Sequence, residues 1–361
     1  MTDLLFVSGE YPPDVGGVGD YTCRLRQALL EAGCPSALLS RRDVRRWDAR
    51  ALVRLLGRVP VAQPSLVHIQ YQPAAFDLLG DVCLMPGLLR WLRPRARVVT
   101  TFHDVRVPYL FPKAGRLRWQ AVRLLARTSH AVVAADARDL LALQVKGHQI
   151  PIGSNVACAP PADYDRAAVR ARLGITDLGL VYFGLLNASK GLEALLAAFA
   201  LILRQRPAAR LLLLGGTAGS SDPTDREVAA RLAGRFEAFG ERVLRPGWVP
   251  PAELSMYLLA ADVALLPYVD GASARRGSLL ACAAHGLPIV STRPVGAEVA
   301  EAVLAVAPDA AGALAEAALR VLDSPSLESR LRAGSRSLAE RTSWPRIASA
   351  HLALYGALLT G

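Results

Sequence analysis

The stretch from Val181 to Gly191 carries the side chains best suited to chemistry. An apolar strand ends at Gly184, a short turn holds Asn187, Ser189 and Lys190, and a helix is expected over 192–203. The first N–H groups of a helix have no intrahelical partner, and its dipole is positive there. A turn of this kind with a lysine beside it is a ready anion site. Of 42 basic residues only Lys113, Lys146 and Lys190 are lysines. In a chain that otherwise uses arginine, a lysine at this turn points to a need for a compact charge on a flexible stem. The competing reading is an ordinary strand–turn–helix with a solvated lysine.

Such a turn needs a sheet to hold it, and the chain supplies one twice. In the first half, strands are expected over 4–7, 36–39, 66–71, 98–102 and 131–134, with helices over 20–32, 82–91 and 115–127. In the second half, strands are expected over 181–184, 210–214, 243–244, 263–266 and 287–292, with helices within 225–239 and over 253–260 and 278–285. Repeated strand–helix order means parallel sheets covered by helices on both faces, with ligands at the carboxyl ends of the strands. His68, Tyr71, His103 and Asp104 lie near such ends. Gly16, Gly17 and Gly19 follow the first strand and let backbone approach a ligand, though their spacing is not that of a dinucleotide fingerprint. Residues 151–161 are rich in Pro, Gly, Ser and Asn and mark a domain boundary. Asp163 and Asp165 form a D-x-D pattern, but they directly precede a helical run, and helix capping explains them better than a metal.

The totals narrow the class. A length of 361 residues fits two domains, and 52% hydrophobic with 20% charged residues is globular composition. No run of 18 apolar residues and no signal-peptide pattern occur, and five scattered cysteines without C-x-x-C indicate neither zinc nor disulfides, so a cytoplasmic location fits. The net charge of +11 suits an anionic partner, whether nucleotide phosphate or an anionic membrane met peripherally. A general preference of the chain for arginine explains the basic clusters without any binding patch, and this is the simpler reading. Arginines at 41–46 and 90–97 lack the interleaved aromatics of a nucleic-acid site, so no nucleic acid is expected.

The order of these motifs resembles the retaining glycosyltransferases of family 4. The matching features are the glycines at 16, 17 and 19, Thr101 to Asp104, Gly184 to Gly191, Leu211 to Gly216, Pro246 to Val249, and Ala284 to Val290. The resemblance implies an α/β GT-B fold, two Rossmann-like doubly wound domains facing each other across a cleft. It implies a UDP-, GDP- or ADP-sugar donor, an acceptor hydroxyl, a hexosyl transfer with retention, and neither metal nor cofactor. Residues 1–160 would bind the acceptor, 161–342 the nucleotide sugar, and 343–361 would form a helix returning to the first domain. Gly16 and Gly17 would approach the diphosphate or sugar, with Gly184, Asn187, Ser189 and Lys190 on the donor, and Gly247, Trp248 and Val249 at the base. His103 would sit by the transferred sugar and acceptor. Asp14, Asp20, Tyr71 and Asp104 are further candidates for positioning the acceptor.

Two departures matter. Family members carry Arg directly after the glycine at 184, where this chain has Leu185. They also carry two glutamates, which fall here on Ser273 and Ala281, or on Asp270 and Ser278, depending on the alignment. Either the site has decayed, or Arg275 or Arg276 replaces the missing arginine while Ser273, Gly277 and Ser278 cradle phosphate at a helix N-terminus. The second reading is preferred, because the loop keeps glycine, serine and two arginines where phosphate is expected. It makes Lys190, Arg275, Arg276 and His103 the catalytic set. The alternatives are a catalytically silent GT-B protein that binds a nucleotide sugar or partner, and a sugar-nucleotide epimerase. The acceptor class stays open among cell-envelope glycans, lipid-linked sugars and secondary metabolites.

Overall fold

A computed structural model describes residues 3–14, 16–59, 65–105, 115–186, 188–215, 232 and 234–360. The chain divides into two units, one comprising residues up to Ile152 plus those from Trp344 onward, the other Gly153–Ser343. The division falls eight residues before the composition boundary at 160, because the Ala159 N–H donates to Ser255 Oγ (3.0 Å) and ties the linker to the second unit.

The first unit contains β1 (Asp3–Ser8), α1 (Gly17–Glu31), β2 (Ser36–Leu39), α2 (Ala49–Arg58), β3 (Ser65–Tyr71), α3 (Met85–Leu92), β4 (Ala96–Phe102), α4 (Gly115–Thr128), β5 (Ala131–Ala134), α5 (Ala137–Leu143) and β6 (His148–Gln149). Its parallel sheet has the order β2-β1-β3-β4-β5-β6. Alternate residues of a strand face opposite sides. Leu5 and Val7 therefore join one core with Trp47, Leu55, Phe76, Met85 and Leu125, and Leu4 and Phe6 join the other with Tyr21, Leu25, Ile347 and Tyr355. Helix α2 was not expected. Its signals are an Asp48 carboxylate accepting from the Arg50 N–H (2.9 Å) and buried Ala51, Leu52 and Leu55. The expected helix over 82–91 is two pieces, a 3-10 turn at Asp81–Leu84 and then α3, with Pro86 in its first turn.

The second unit contains α6 (Arg166–Arg172), β7 (Gly179–Phe183), α7 (Leu192–Gln205), β8 (Arg210–Leu214), β9 (Val243–Leu244), α8 (Pro251–Ala260), β10 (Val263–Leu266), α9 (Gly277–Ala284), β11 (Ile289–Thr292), α10 (Ala297–Ala302), β12 (Val303–Val306), α11 (Ala311–Asp323) and α12 (Pro325–Arg341). Its parallel sheet runs β12-β11-β10-β7-β8-β9. Asp165 caps α6 by accepting from the Ala167 N–H (2.8 Å), which accounts for half of the D-x-D pattern. Asp262 Oδ2 accepts from the Gly179 N–H (2.8 Å) and from Arg170 (2.9 Å), joining α6 to the central strands. The helix expected within 225–239 begins outside the described residues.

The last helix, α13 (Trp344–Thr360), belongs to the first unit. Its Tyr355 hydroxyl lies 2.6 Å from His68 Nδ1, and His68 Nε2 lies 2.7 Å from Thr101 Oγ1, all in the interior. No helix among the described residues is long and apolar enough to cross a membrane.

Candidate active site

In the second sheet the chain runs from β7 outward through β8 to β9, then returns to the other side of β7 as β10. The strand order reverses at β7 and β10, so the loops after these two strands border the crevice where ligands bind in open α/β sheets. Sequence puts Gly184–Gly191 on one loop and Pro267–Arg276 on the other. They interlock. The Val269 N–H donates to the Ser189 carbonyl (3.0 Å). Gly191 has φ +65°, and a Cβ there would sit 1.9 Å from the Pro267 carbonyl oxygen, so no larger residue fits this approach. Gly184 at φ +145° lies against the Tyr182 hydroxyl and the Ser278 side chain.

Tyr268, immediately after β10, organises the charges. Its ring is fully buried, and its hydroxyl lies 2.6 Å from Ser278 Oγ in the first turn of α9. The Lys190 ammonium is 5.0 Å from the ring centroid and the Arg276 guanidinium 4.7 Å. Cations over a desolvated aromatic face are attracted by its quadrupole. Arg276 is paired with the half-exposed Asp270 carboxylate. Burial lowers the Lys190 pKa to about 8, with the Arg276 charge adding to the fall and Asp270 opposing it. Burial pushes the Tyr268 hydroxyl up, so the ring stays neutral. Two cations against one carboxylate, at the N-terminus of α9, make a site with surplus positive charge at the strand ends.

The predicted donor residues distribute unevenly. Lys190, Arg276, Gly184 and Ser278 come together around Tyr268. Ser278 does so with its hydroxyl already engaged. Ser189 serves through its carbonyl, and Ser273 forms a parallel bridge with Val295. Arg275 is half-buried beside Arg276, and Gly277, exposed, opens α9. Gly247, Trp248 and Val249 follow β9, two strands from β7 and so about 10 Å along the sheet. Gly247 has φ +75°, and Trp248 is 83% exposed. Asn187 and Gly216 lie outside the described residues.

In the first unit the decisive residue is one the sequence reading passed over. The Glu10 carboxylate accepts from the N–H groups of Val18 (2.9 Å) and Gly19 (3.2 Å) and so closes the N-terminus of α1. Helix α1 therefore starts at Gly17, three residues earlier than expected. Gly16 lies against this cap. A Cβ there would meet the Glu10 carboxyl at 2.2 Å, so the glycine makes room for this internal anion. Gly17 faces open space. Tyr71 is corrected. Its side chain is buried against Phe76 and Phe102 and is not available to an acceptor. The seventh residue of a strand buried along its whole length cannot be told from a surface residue by periodicity. His103 is half-buried, with Nε2 2.8 Å from Gln70 Oε1 and its ring 4.7 Å from that of Tyr21. Asp104 follows it, partly exposed, and Asp14 and Asp20 are exposed.

Residues 177–324 match the family model described as Glycosyl transferases group 1. That match lies wholly within the second unit. The chain is 26% identical to D-inositol 3-phosphate glycosyltransferase of Jonesia denitrificans, over 95% of the chain and 91% of that protein. Its fold is GT-B, with two Rossmann-like units. The structure of Anabaena HepE in complex with UDP superposes with a TM-score of 0.74 at 14% identity, covering 99% of this chain and 100% of that one. Sucrose-phosphate synthase from Thermosynechococcus elongatus superposes with a TM-score of 0.70 at 21% identity, covering the whole of both chains. Against the resemblance, the chain has Leu185, half-exposed, after Gly184, and Ala281, fully buried within α9. Neither can hold a phosphate or a ribose through a charge.

Proposed function

We propose that this glycosyltransferase moves a hexosyl group from a nucleoside diphosphate sugar to an acceptor hydroxyl, with retention and without a metal. Lys190 and Arg276 hold the departing diphosphate. The carrying observation is the pair of cations on the Tyr268 ring, at 5.0 and 4.7 Å, beside the N-terminus of α9.

The chemistry follows from where charge develops. As the bond between the anomeric carbon and the phosphate oxygen breaks, that oxygen becomes more negative. Groups already aimed at it stabilise the transition state more than the ground state. The charge-surplus site does this without the missing arginine at 185, because Arg276 approaches from the opposite loop. Asp270 is the counter-ion that gives way when phosphate arrives. No carboxylate pair suited to a covalent glycosyl intermediate is evident among the candidate residues. The reading is therefore front-face attack. The acceptor oxygen bonds to the anomeric carbon on the side the phosphate leaves, and its proton passes to the leaving phosphate oxygen. His103 is the proposed group beside sugar and acceptor, with Gln70 fixing its ring.

UDP is the favoured donor nucleotide, supported by the UDP named with the Anabaena fold neighbour. D-inositol 3-phosphate is the first acceptor to test, supported by the name of the Jonesia relative. The experiment is a thermal-shift screen of UDP, GDP and ADP sugars followed by product analysis with and without acceptor. The reading expects one nucleotide class to raise the melting point and glycoside to form, since a ligand that binds only the native state stabilises it. Leu185 and Ala281 favour a second reading, a silent nucleotide-sugar binder. Firm binding with no turnover on any acceptor supports it, and an isomerised donor without acceptor points to an epimerase.

A further inference from the structure

We propose that the outer face of the helical layer formed by α2, α3 and α4 in the first unit is a docking surface for an anionic membrane. This rests on the first unit alone and not on the donor-site reading.

The charge of the chain is not spread evenly. Residues 40–59, 73–95 and 119–128, which make up this layer, contain twelve arginines and four aspartates. That surplus of eight compares with +11 for all 361 residues. One buried core unites the inner sides of these segments through Trp47, Leu55, Phe76, Met85, Leu89 and Leu125, so their polar sides share one outer face. Arg93 staples the layer, donating to the Val59 and Leu56 carbonyls at the end of α2 (both 3.0 Å). Within the layer Arg41 pairs with Asp77, and Arg58 with Asp43. Arg42, Arg54 and Arg93 donate to backbone carbonyls and have no carboxylate partner among the described residues. Arg46, Arg50 and Arg90 are exposed.

Charge alone would fit any polyanion. The apolar side chains choose among them. Val53 (68% exposed), Leu84, Trp91 (78%) and Leu124 project from the same layer, one or more from each helix or its leading turn. Trp91 at the end of α3 has Arg90 before it and Arg93 and Arg95 after it. A tryptophan ringed by arginines suits the headgroup boundary, where the indole enters the interface and the guanidiniums stay with lipid phosphates. A nucleic-acid backbone gives no such place to valine and leucine. Each basic side chain near an anionic leaflet contributes a factor of about five in partition, and screening by salt removes it.

Sedimentation with sucrose-loaded vesicles tests this. The full chain should partition onto phosphatidylcholine vesicles containing phosphatidylglycerol at low salt, and be released by salt. The triple variant Arg46→Gln/Arg50→Gln/Arg90→Gln should lose about a hundredfold in partition, and Trp91→Ser several-fold. Circular dichroism and the nucleotide-dependent thermal shift of both variants should match the parent, separating this surface from the donor site. The proposal is overturned if the parent stays in solution with anionic vesicles, or if neutral phosphatidylcholine vesicles bind it equally. It is equally overturned if the triple variant partitions as the parent does, or if heparin is bound as tightly as vesicles with no contribution from Trp91.

Discussion

At the residue scale the site depends on keeping an ammonium in an apolar place. Lys190 sits over Tyr268 near Arg276, and its pKa falls to about 8. The sign is then fixed. Below pH 8 Lys190 is charged and grips phosphate. As pH rises through 8 the free enzyme loses that charge, and nucleotide affinity should fall. Lys190→Arg stays cationic throughout, so its affinity should be flat from pH 7 to 9. Calorimetry across that range would contradict the assignment if parent and variant showed the same slope. Much of this site was legible: an apolar strand, a glycine, then a lysine before a helix. Tyr268 and the counter-ion role of Asp270 were not, because the loop after β10 meets the loop after β7 only once the strand order reverses between them. Leu185 read as a departure, with Arg275 or Arg276 as the preferred replacement. The compensating Arg276 lies 91 positions further along the chain, and only the tertiary fold brings it to the same ring.

At the element scale two helix ends carry most of what sequence periodicity could not convey. The start of α1 is set by Glu10, whose Oε1 accepts from two N–H groups that would otherwise be orphaned. Glu10→Ala should cost about 1 kcal/mol in chemical unfolding of the first unit. Gly16→Ala should cost a similar amount, because its Cβ expels the same carboxylate. If Gly16→Ala were as stable as the parent, the carboxylate would not be the cap. The other element is α13, which places His351 beside His68 with ring centroids 5.4 Å apart. His351 Nδ1 lies 2.9 Å from the Ile347 carbonyl, while its buried Nε2 has no hydrogen-bond partner among the described residues. Facing the pair are Tyr355, Thr101, Phe6 and, through its charge, His103. Burial holds both imidazoles neutral, His351 down to about 4. The unfolded chain therefore binds more protons than the folded one from pH 6.5 to 4, and stability falls as pH falls through that window. His351 alone accounts for about 3 kcal/mol. Unfolding free energies at pH 7 and 4.5 should show the loss, and His351→Gln should reduce it. An equal acid loss in the variant would remove His351 from the account. The amphipathic pattern announced α13, but His351 on its buried side gave no warning, since its ring neighbour His68 lies on β3.

At the scale of the whole molecule, each unit is a parallel sheet with its own order reversal: in the first, Glu10 follows β1 and caps α1 while His103 follows β4 two strands away, and in the second Lys190 and Arg276 follow β7 and β10 at the reversal itself. The alternation of strands and helices was enough to read this architecture. The assignment of the last helix rests on more than periodicity. Ile347, Ala348, Leu354 and Tyr355 complete a core whose other members come from residues 4–150. A chain ending at Ser343 should lose the cooperative unfolding of the first unit, because that core and the His68 partner are removed. The second unit should unfold as before. Hydrogen exchange resolved by segment would show deprotection confined to residues up to 152 if this holds, and equal deprotection of both units if it does not. The basic layer was only half visible in sequence. The arginine clusters stood out, but α2 was not recognised, so its Val53 and the shared outer face with Trp91 could not be seen.

The most direct test of the central claim is titration calorimetry with the nucleoside diphosphate that gives the largest thermal shift. The parent should bind it, and Lys190→Ala and Arg276→Ala should each weaken binding about 10- to 100-fold, the worth of one charge-assisted contact to phosphate. Unchanged affinity in both variants, with folding intact, would mean that these cations do not hold the diphosphate.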